Sequence, residues 1–76
     1  MSEEEYYNKI IRLKEQRPFQ PFAIDTKDGG HYEVTDWLHL ALTPRNPVMI
    51  LFDPKQGGCR IRKDQIAAIR VIESVN

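Results

Sequence analysis

The stretch from Arg60 to Glu73 most narrows the folds open to this chain. It alternates basic and apolar residues as far as Arg62, breaks for one turn at 63–65, and continues as a largely apolar segment. Alternation with a period of two is typical of a strand that buries one face. Two strands joined by so short a connection, after two earlier hairpin signals, predict the end of a small antiparallel barrel.

An amphipathic helix is predicted over about residues 3–16. Ser2 followed by Glu5 has the spacing of a capping box, and acidic residues suit the positive end of the helix dipole. Pro18 ends the helix, because a proline disfavours helical geometry in the residue before it. One stripe of this helix is apolar at helical spacing and consists of Tyr6, Ile10 and Leu13.

Short strands follow the helix. Asp28-Gly29-Gly30 separates two alternating segments and predicts a type I′ hairpin, which needs positive φ at both central residues. The segment 36–43 mixes helical and strand spacing, and a short turn followed by a strand from Leu38 to Leu42 is one interpretation. The apolar run 48–52 has strand length, and the remaining strands are predicted from Cys59 to Arg62 and from residue 66 or 67 to Glu73.

The predicted fold class is therefore mainly β, a five-stranded antiparallel barrel with an N-terminal helix. Residues 1–76 are expected to form a single domain with the barrel at about 21–74. A chain of 76 residues buries only about 60% of its unfolded surface and gains roughly 3–5 kcal/mol from its core. Cys59 is the single cysteine, so no intrachain disulfide supports the core. We expect self-association instead.

The net charge is zero but unevenly spread, with −3 in residues 1–40 and +3 in residues 41–76. A strongly basic nucleic-acid binder would show a larger excess, although a local basic face remains possible. The acidic residues 3–5 stand where a signal peptide is basic, and no apolar run approaches the ~20 residues of a membrane span. With the lone thiol of Cys59, these features predict a cytoplasmic protein that does not enter a membrane.

Two stretches resemble the Sm-like family, a subset of SH3-like barrels. Residues 28–34 are similar to the family's first box, an Asp-Gly turn with a return strand that carries an aromatic residue. Residues 61–66 (Ile-Arg-Lys-Asp-Gln-Ile), with Ile69 beyond them, resemble its second box, Ile-Arg-Gly-Asp-Asn-Ile. The entry Arg-Pro-Phe-Gln-Pro-Phe before the hairpin also looks like small bacterial proteins of unassigned function. The resemblance implies a five-stranded SH3/Sm-like barrel.

The family resemblance also implies rings of subunits joined through strands four and five, with uridine-rich single-stranded RNA bound on one face. The implied base-binding positions correspond to Asp36, to His39 where the family has Asn, and to Arg62. Lys63 stands where the family has Gly. His39 and Lys63 therefore change two positions of the implied RNA pocket.

The residue pattern indicates no enzyme. His31, His39 and Cys59 lack the spacing of a zinc site, and Cys59 lacks the neighbouring groups that would activate a nucleophile. The glycine pairs at 29–30 and 57–58 lack the context of a phosphate-binding loop. No catalytic residue, metal or other cofactor is predicted.

Two features are candidates for binding. Trp37 is either a core residue or an exposed anchor for a partner or a stacked base. Arg60 and Arg62 fall on one face of their strand, opposite Cys59 and Ile61, and form either a solvated face or a binding face. The sequence thus predicts a non-enzymatic interaction or regulatory module that self-associates, or alternatively a weak binder of single-stranded RNA. A protein partner is also possible. The candidate binding residues are Asp36, Trp37, His39, Arg60, Arg62 and Lys63.

Overall fold

In a computed structural model that describes residues 2–53 and 57–72, the chain forms one helix and six strands. Helix α1 spans Glu3–Glu15, with the Ser2 hydroxyl accepting the N–H of Glu5 at 3.2 Å. The strands are β1 (Phe22–Thr26), β2 (His31–Val34), β3 (Leu40–Ala41), β4 (Val48–Asp53), β5 (Gly57–Arg62) and β6 (Ile66–Val71). One 3-10 turn, Trp37–His39, precedes β3, and a second, Lys63–Gln65, precedes β6.

The strands form two antiparallel sheets of three strands each. The first sheet has the order β2-β1-β6, and the second has the order β3-β4-β5. The prediction of a mainly β domain with one N-terminal helix is confirmed, and the described residues form six strands in two sheets that do not close, where five strands were predicted. The reason lies in the ambiguous segment 36–43, where a 3-10 turn separates β2 from the two-residue β3.

The core lies between the two sheets and is sealed by α1. Ile10 is the one fully buried residue of the helix, and Tyr6 and Leu13 pack beside it at the edge of the core. The stripe predicted from helical spacing is therefore the face that packs. The buried cluster consists of Ile10, Phe22, Ile24, Val34, Leu40, Met49, Leu51, Ile61, Ile66 and Ile69.

The first hairpin forms where it was predicted, with a different turn. Within this turn only Gly29 has a positive φ, at +90°, and its N–H donates to the carbonyl of Thr26 at 3.1 Å. A three-residue loop of this kind ends with glycine in the left-handed region, so a type I′ turn is not formed. Gly30 is required for another reason, since a Cβ there would lie 2.5 Å from Oγ1 of Thr26.

No helix within the described residues is long and apolar enough to cross a membrane.

Candidate interaction surface

The first 3-10 turn contains three of the predicted site residues. The Asp36 carboxylate accepts the N–H of Leu38 at 2.9 Å, which makes it the cap of this turn. The backbone N–H of His39 donates to the Asp36 carbonyl at 3.0 Å, and the His39 side chain is half-buried. Asp36 therefore already has a structural partner in the backbone, whatever else it contacts.

Trp37 lies at the end of α1, where one arginine contacts both elements. The Arg17 guanidinium stands 4.5 Å from the centre of the Trp37 ring and donates to the carbonyls of Lys14 and Gln16 at 2.8 and 2.9 Å. A cation over the face of an indole is attracted by the ring quadrupole. Trp37 remains 36% exposed, so it covers the helix end while leaving part of its ring in solvent.

Lys63 is buried, with 6% of its surface exposed. Its ammonium donates to the carbonyl of Thr43 and lies 4.4 Å from the centre of the Tyr7 ring. Burial lowers the pKa of Lys63 from its usual range, while the negative charge of Glu3 acts in the opposite direction. The ammonium therefore ties α1 to the segment before β4 and does not stand on the surface beside Arg62.

Arg60 and Arg62 lie on the outer face of β5, as the alternation predicted, because both are exposed while Ile61 is buried. Arg62 pairs with Asp64 at 2.9 Å through its terminal nitrogen. Among the side chains of residues 2–52 and 57–72, Arg60 has no ion pair. Of the two arginines on this face, only Arg62 is therefore paired within those residues.

The neighbouring strand adds apolar side chains to the same outer face. Ile50 lies opposite Arg60 in the β4–β5 register, and Phe52 lies opposite Gly58. Their exposed fractions are 37% for Ile50 and 56% for Phe52, which are high for large apolar residues. A Cβ on Gly58 would be 3.8 Å from the Phe52 ring, so the aromatic side chain leans over the glycine. We call Ile50, Phe52, Arg60 and Arg62 the outer face of the second sheet.

The backbone edge of β6 is covered by side chains of α1. The Tyr6 hydroxyl donates to the carbonyl of Ala67 at 2.7 Å, and the Lys9 ammonium donates to the carbonyl of Ile69 at 3.2 Å. An uncovered edge strand offers unpaired N–H and C=O groups to other chains. Helix α1 therefore protects the edge that the last strand would otherwise present.

The outer edge of β5 has no strand partner in the part of the chain that the structure describes. The N–H of Lys63 bonds the carbonyl of Pro47 at 2.9 Å, which marks Lys63 and Pro47 as a hydrogen-bonded pair in the β4–β5 ladder. Bonded and non-bonded pairs alternate along an antiparallel ladder, so Arg60 and Arg62 direct their N–H and C=O groups away from β4. No strand within the described residues pairs with them there.

A charged network lies on the outer face of the first sheet. The Asp25 carboxylate contacts Nδ1 of His31 at 2.6 Å and also binds the Arg70 guanidinium, while Nε2 of His31 is 3.4 Å from Glu33. The hydrogen bond from His31 is the main cause of a lowered Asp25 pKa, followed by that from Arg70. The same bond to Asp25 raises the pKa of His31.

No three His, Cys, Asp or Glu side chains in the part of the chain that the structure describes come together in a way that could hold a metal ion. A depression of about 510 Å³ between α1 and the second 3-10 turn is lined by charges of both signs, Glu3, Lys27 and Asp64 among them. The ammonium of Lys63 beside this depression is already used by Thr43 and Tyr7.

The structure separates the predicted site residues into three places and adds two that the sequence analysis missed. Asp36, Trp37 and His39 lie in the first 3-10 turn, Arg60 and Arg62 lie on the outer face of β5, and Lys63 is buried under α1. The missed residues are Ile50 and Phe52, which belong to the apolar run 48–52 that was predicted only to be a strand. The alternation along this run predicts their exposure, because Met49 and Leu51 lie on the opposite face of the strand.

Comparisons of the chain with protein-family models, with curated proteins and with solved structures found no match.

Proposed function

We propose that this protein is a non-enzymatic interaction module that acts by self-association through the open edge of β5. The observation that carries the proposal is the difference between two edges. The side chains of Tyr6 and Lys9 donate hydrogen bonds to backbone carbonyls of β6. The outward backbone groups of Arg60 and Arg62 on β5 have no strand partner in the described residues. Exposed strand edges favour pairing with another chain.

The size of the domain supports the same proposal. A chain of 76 residues without a disulfide has a small core, and association is one of the means that adds stability to such chains. The outer face of the second sheet supplies additional apolar area next to the open edge, through Ile50 and Phe52. The free thiol of Cys59 fits a reducing compartment, so we place this association in the cytoplasm.

An SH3/Sm-like barrel is the fold that we propose for this arrangement. The 3-10 turn between β2 and β3 allows the two to be counted as halves of one bent strand, which gives five strands in barrel order. A one-turn 3-10 break before the last strand agrees with the second sequence box. The covered edge of β6 departs from the ring contact that the family resemblance implies.

The first test is the solution mass of the protein at about 50 µM, a concentration above a micromolar dissociation constant, which corresponds to about −8 kcal/mol. We expect light scattering or sedimentation to give a species heavier than the 8.9 kDa chain. Arg60→Pro should return it to the monomer, because it removes an outward N–H that makes no bond to β4. A monomeric wild-type protein would contradict the proposal.

Arg60→Gln is the matched control for that variant. It keeps the outward N–H and removes only the charge. An exposed ion pair formed by Arg60 across the contact would be worth roughly 0.2–1 kcal/mol, so its loss weakens association by about fivefold at most. Circular dichroism should show that both variants keep the β spectrum of the wild type. If both variants associate equally well, the edge of β5 is not the contact.

A second candidate function is the binding of single-stranded RNA by the outer face of the second sheet. It is favoured by an exposed aromatic ring, Phe52, on the same face as Arg60 and Arg62. Bases stack on aromatic side chains, and phosphates are bound by arginine. Oligo-uridine binding that falls steeply between 50 and 200 mM salt and is lost in Phe52→Ala would support this function. The buried Lys63 and the paired Arg62 leave few free cations for it.

A further inference from the structure

We propose that the edge of β5 pairs with the edge of β2 in a second copy of the chain, antiparallel and head to tail. This inference rests on the proposed self-association and names the surface that the second copy contributes. It follows from which backbone groups point outward on each edge strand and from the side chains that those residues carry.

The outward groups of β2 can be identified from the first hairpin. The N–H of Thr26 bonds the carbonyl of Gly30 at 2.9 Å, which makes them a hydrogen-bonded pair. Alternation then places His31 and Glu33 at non-bonded positions toward β1, with their N–H and C=O groups directed away from it. Both side chains are exposed, so Glu33 has on β2 the same relation to edge and outer face that Arg60 has on β5.

Antiparallel pairing of these two edges satisfies both the backbone and the side chains. Residues with outward backbone groups face each other, and their side chains then share one face of the joined sheet. Glu33 of the second copy comes opposite or diagonal to Arg60, which has no ion pair within the described residues. On the other face, the half-buried Cys59 of one copy approaches the half-buried Tyr32 of the next.

The alternative pairings are less favourable. Two β5 edges would set Arg60 and Arg62 against the same arginines, and like charges directly opposite each other are destabilising. Two β2 edges centred on Glu33 would bring its two copies together, and a pairing of β2 edges in any register would leave Arg60 without an opposite charge from the second copy. The edge of β6 is covered by Tyr6 and Lys9, and β3 has only two residues.

The location of the two edges makes the contact head to tail. β2 is an edge strand of the first sheet, and β5 is an edge strand of the second. Each copy therefore uses different surfaces toward its two neighbours. Such a contact continues from copy to copy unless the rotation closes it into a ring.

Charge reversal tests the pairing. At about 50 µM and low salt, Arg60→Glu alone and Glu33→Arg alone should each weaken association by at least about tenfold, because like charges then face each other. An equimolar mixture of the two single variants should recover association, since every contact in an alternating assembly regains opposite charges. The double variant should recover it as well. Sedimentation velocity gives the readout.

Lys9→Met is the control that distinguishes the edges. It removes the bond to the carbonyl of Ile69 and so uncovers part of the β6 edge. If β5 pairs with β2, we expect the association of this variant to be unchanged, whereas pairing between β5 and β6 predicts tighter association. If both charge-reversal variants associate as well as the wild type, the β5–β2 pairing is wrong, while self-association itself is still supported. A wild-type monomer would remove self-association itself.

Discussion

At the scale of single residues, surface charges on the first sheet are arranged across three strands. Asp25 on the central β1 lies between His31 on β2 and Arg70 on β6, with the Nε of Arg70 at 3.1 Å. Opposite charges on neighbouring strands stabilise a sheet, as opposite charges one turn apart stabilise a helix. Because one member is a histidine, this contribution depends on pH in the physiological range.

The His31–Asp25 pair predicts a pH-dependent effect of His31→Gln on the thermal midpoint. The raised His31 pKa adds stability that is complete below the usual value of 6.5 and is lost as the pH rises through the folded value. The lowered Asp25 pKa adds stability above 3.8 that is lost in acid. We therefore expect His31→Gln to lower the midpoint more at pH 5.5 than at pH 9.

His39→Gln is the matched control, because the His39 side chain makes no ion pair within the described residues. It should change the midpoint by a similar amount at both pH values. Equal losses at pH 5.5 and pH 9 in the His31 variant would show that the contact with Asp25 does not add stability through charge.

At the scale of secondary-structure elements, α1 has two tasks. Its apolar stripe closes the core, and two polar side chains from the same region reach the edge of β6. A sheet edge covered by a helix is one of the ways in which natural proteins avoid aggregation. The helix thereby restricts which edges of the domain remain available to partners.

Ile10→Ala tests the packing of α1. Ile10 has 0% of its surface exposed, and truncating a buried aliphatic side chain costs about 2–5 kcal/mol in the free energy of unfolding. Urea denaturation at neutral pH measures it. The exposed neighbour Asn8→Ala is the control and should change the free energy by less than about 0.5 kcal/mol. A similarly small change for Ile10→Ala would mean that the helix does not contribute to the core.

At the scale of the whole molecule, the proposed association through β5 has a consequence for the stability of the small core. Among the described residues, ten apolar side chains form the buried cluster, shared between two sheets of three strands and one helix. Any partner that binds only the folded state increases its stability by mass action. Association would therefore add stability that the core of a single chain does not supply.

This coupling predicts that the thermal midpoint of the wild type rises with protein concentration. Between about 5 and 500 µM, the midpoint should increase for the wild type and stay constant for Arg60→Pro, since only the wild type gains stability from association. Differential scanning calorimetry at several concentrations measures this. A midpoint independent of concentration in the wild type would contradict self-association in this range.

The sequence by itself determined the local elements. Each of these elements depends on features that act over only a few residues. Capping at Ser2 and the proline at 18 predicted the helix, and the glycine at 29 predicted the first hairpin. The alternation around Ile61 predicted the outward direction of Arg60 and Arg62. The tertiary structure decided what depends on contacts distant in sequence. It buried Lys63 beneath Tyr7, exposed Phe52, and placed Tyr6 and Lys9 on β6, about sixty residues away. Short-range patterns specify which backbone forms, whereas the covering of a face or edge depends on which elements meet across the core.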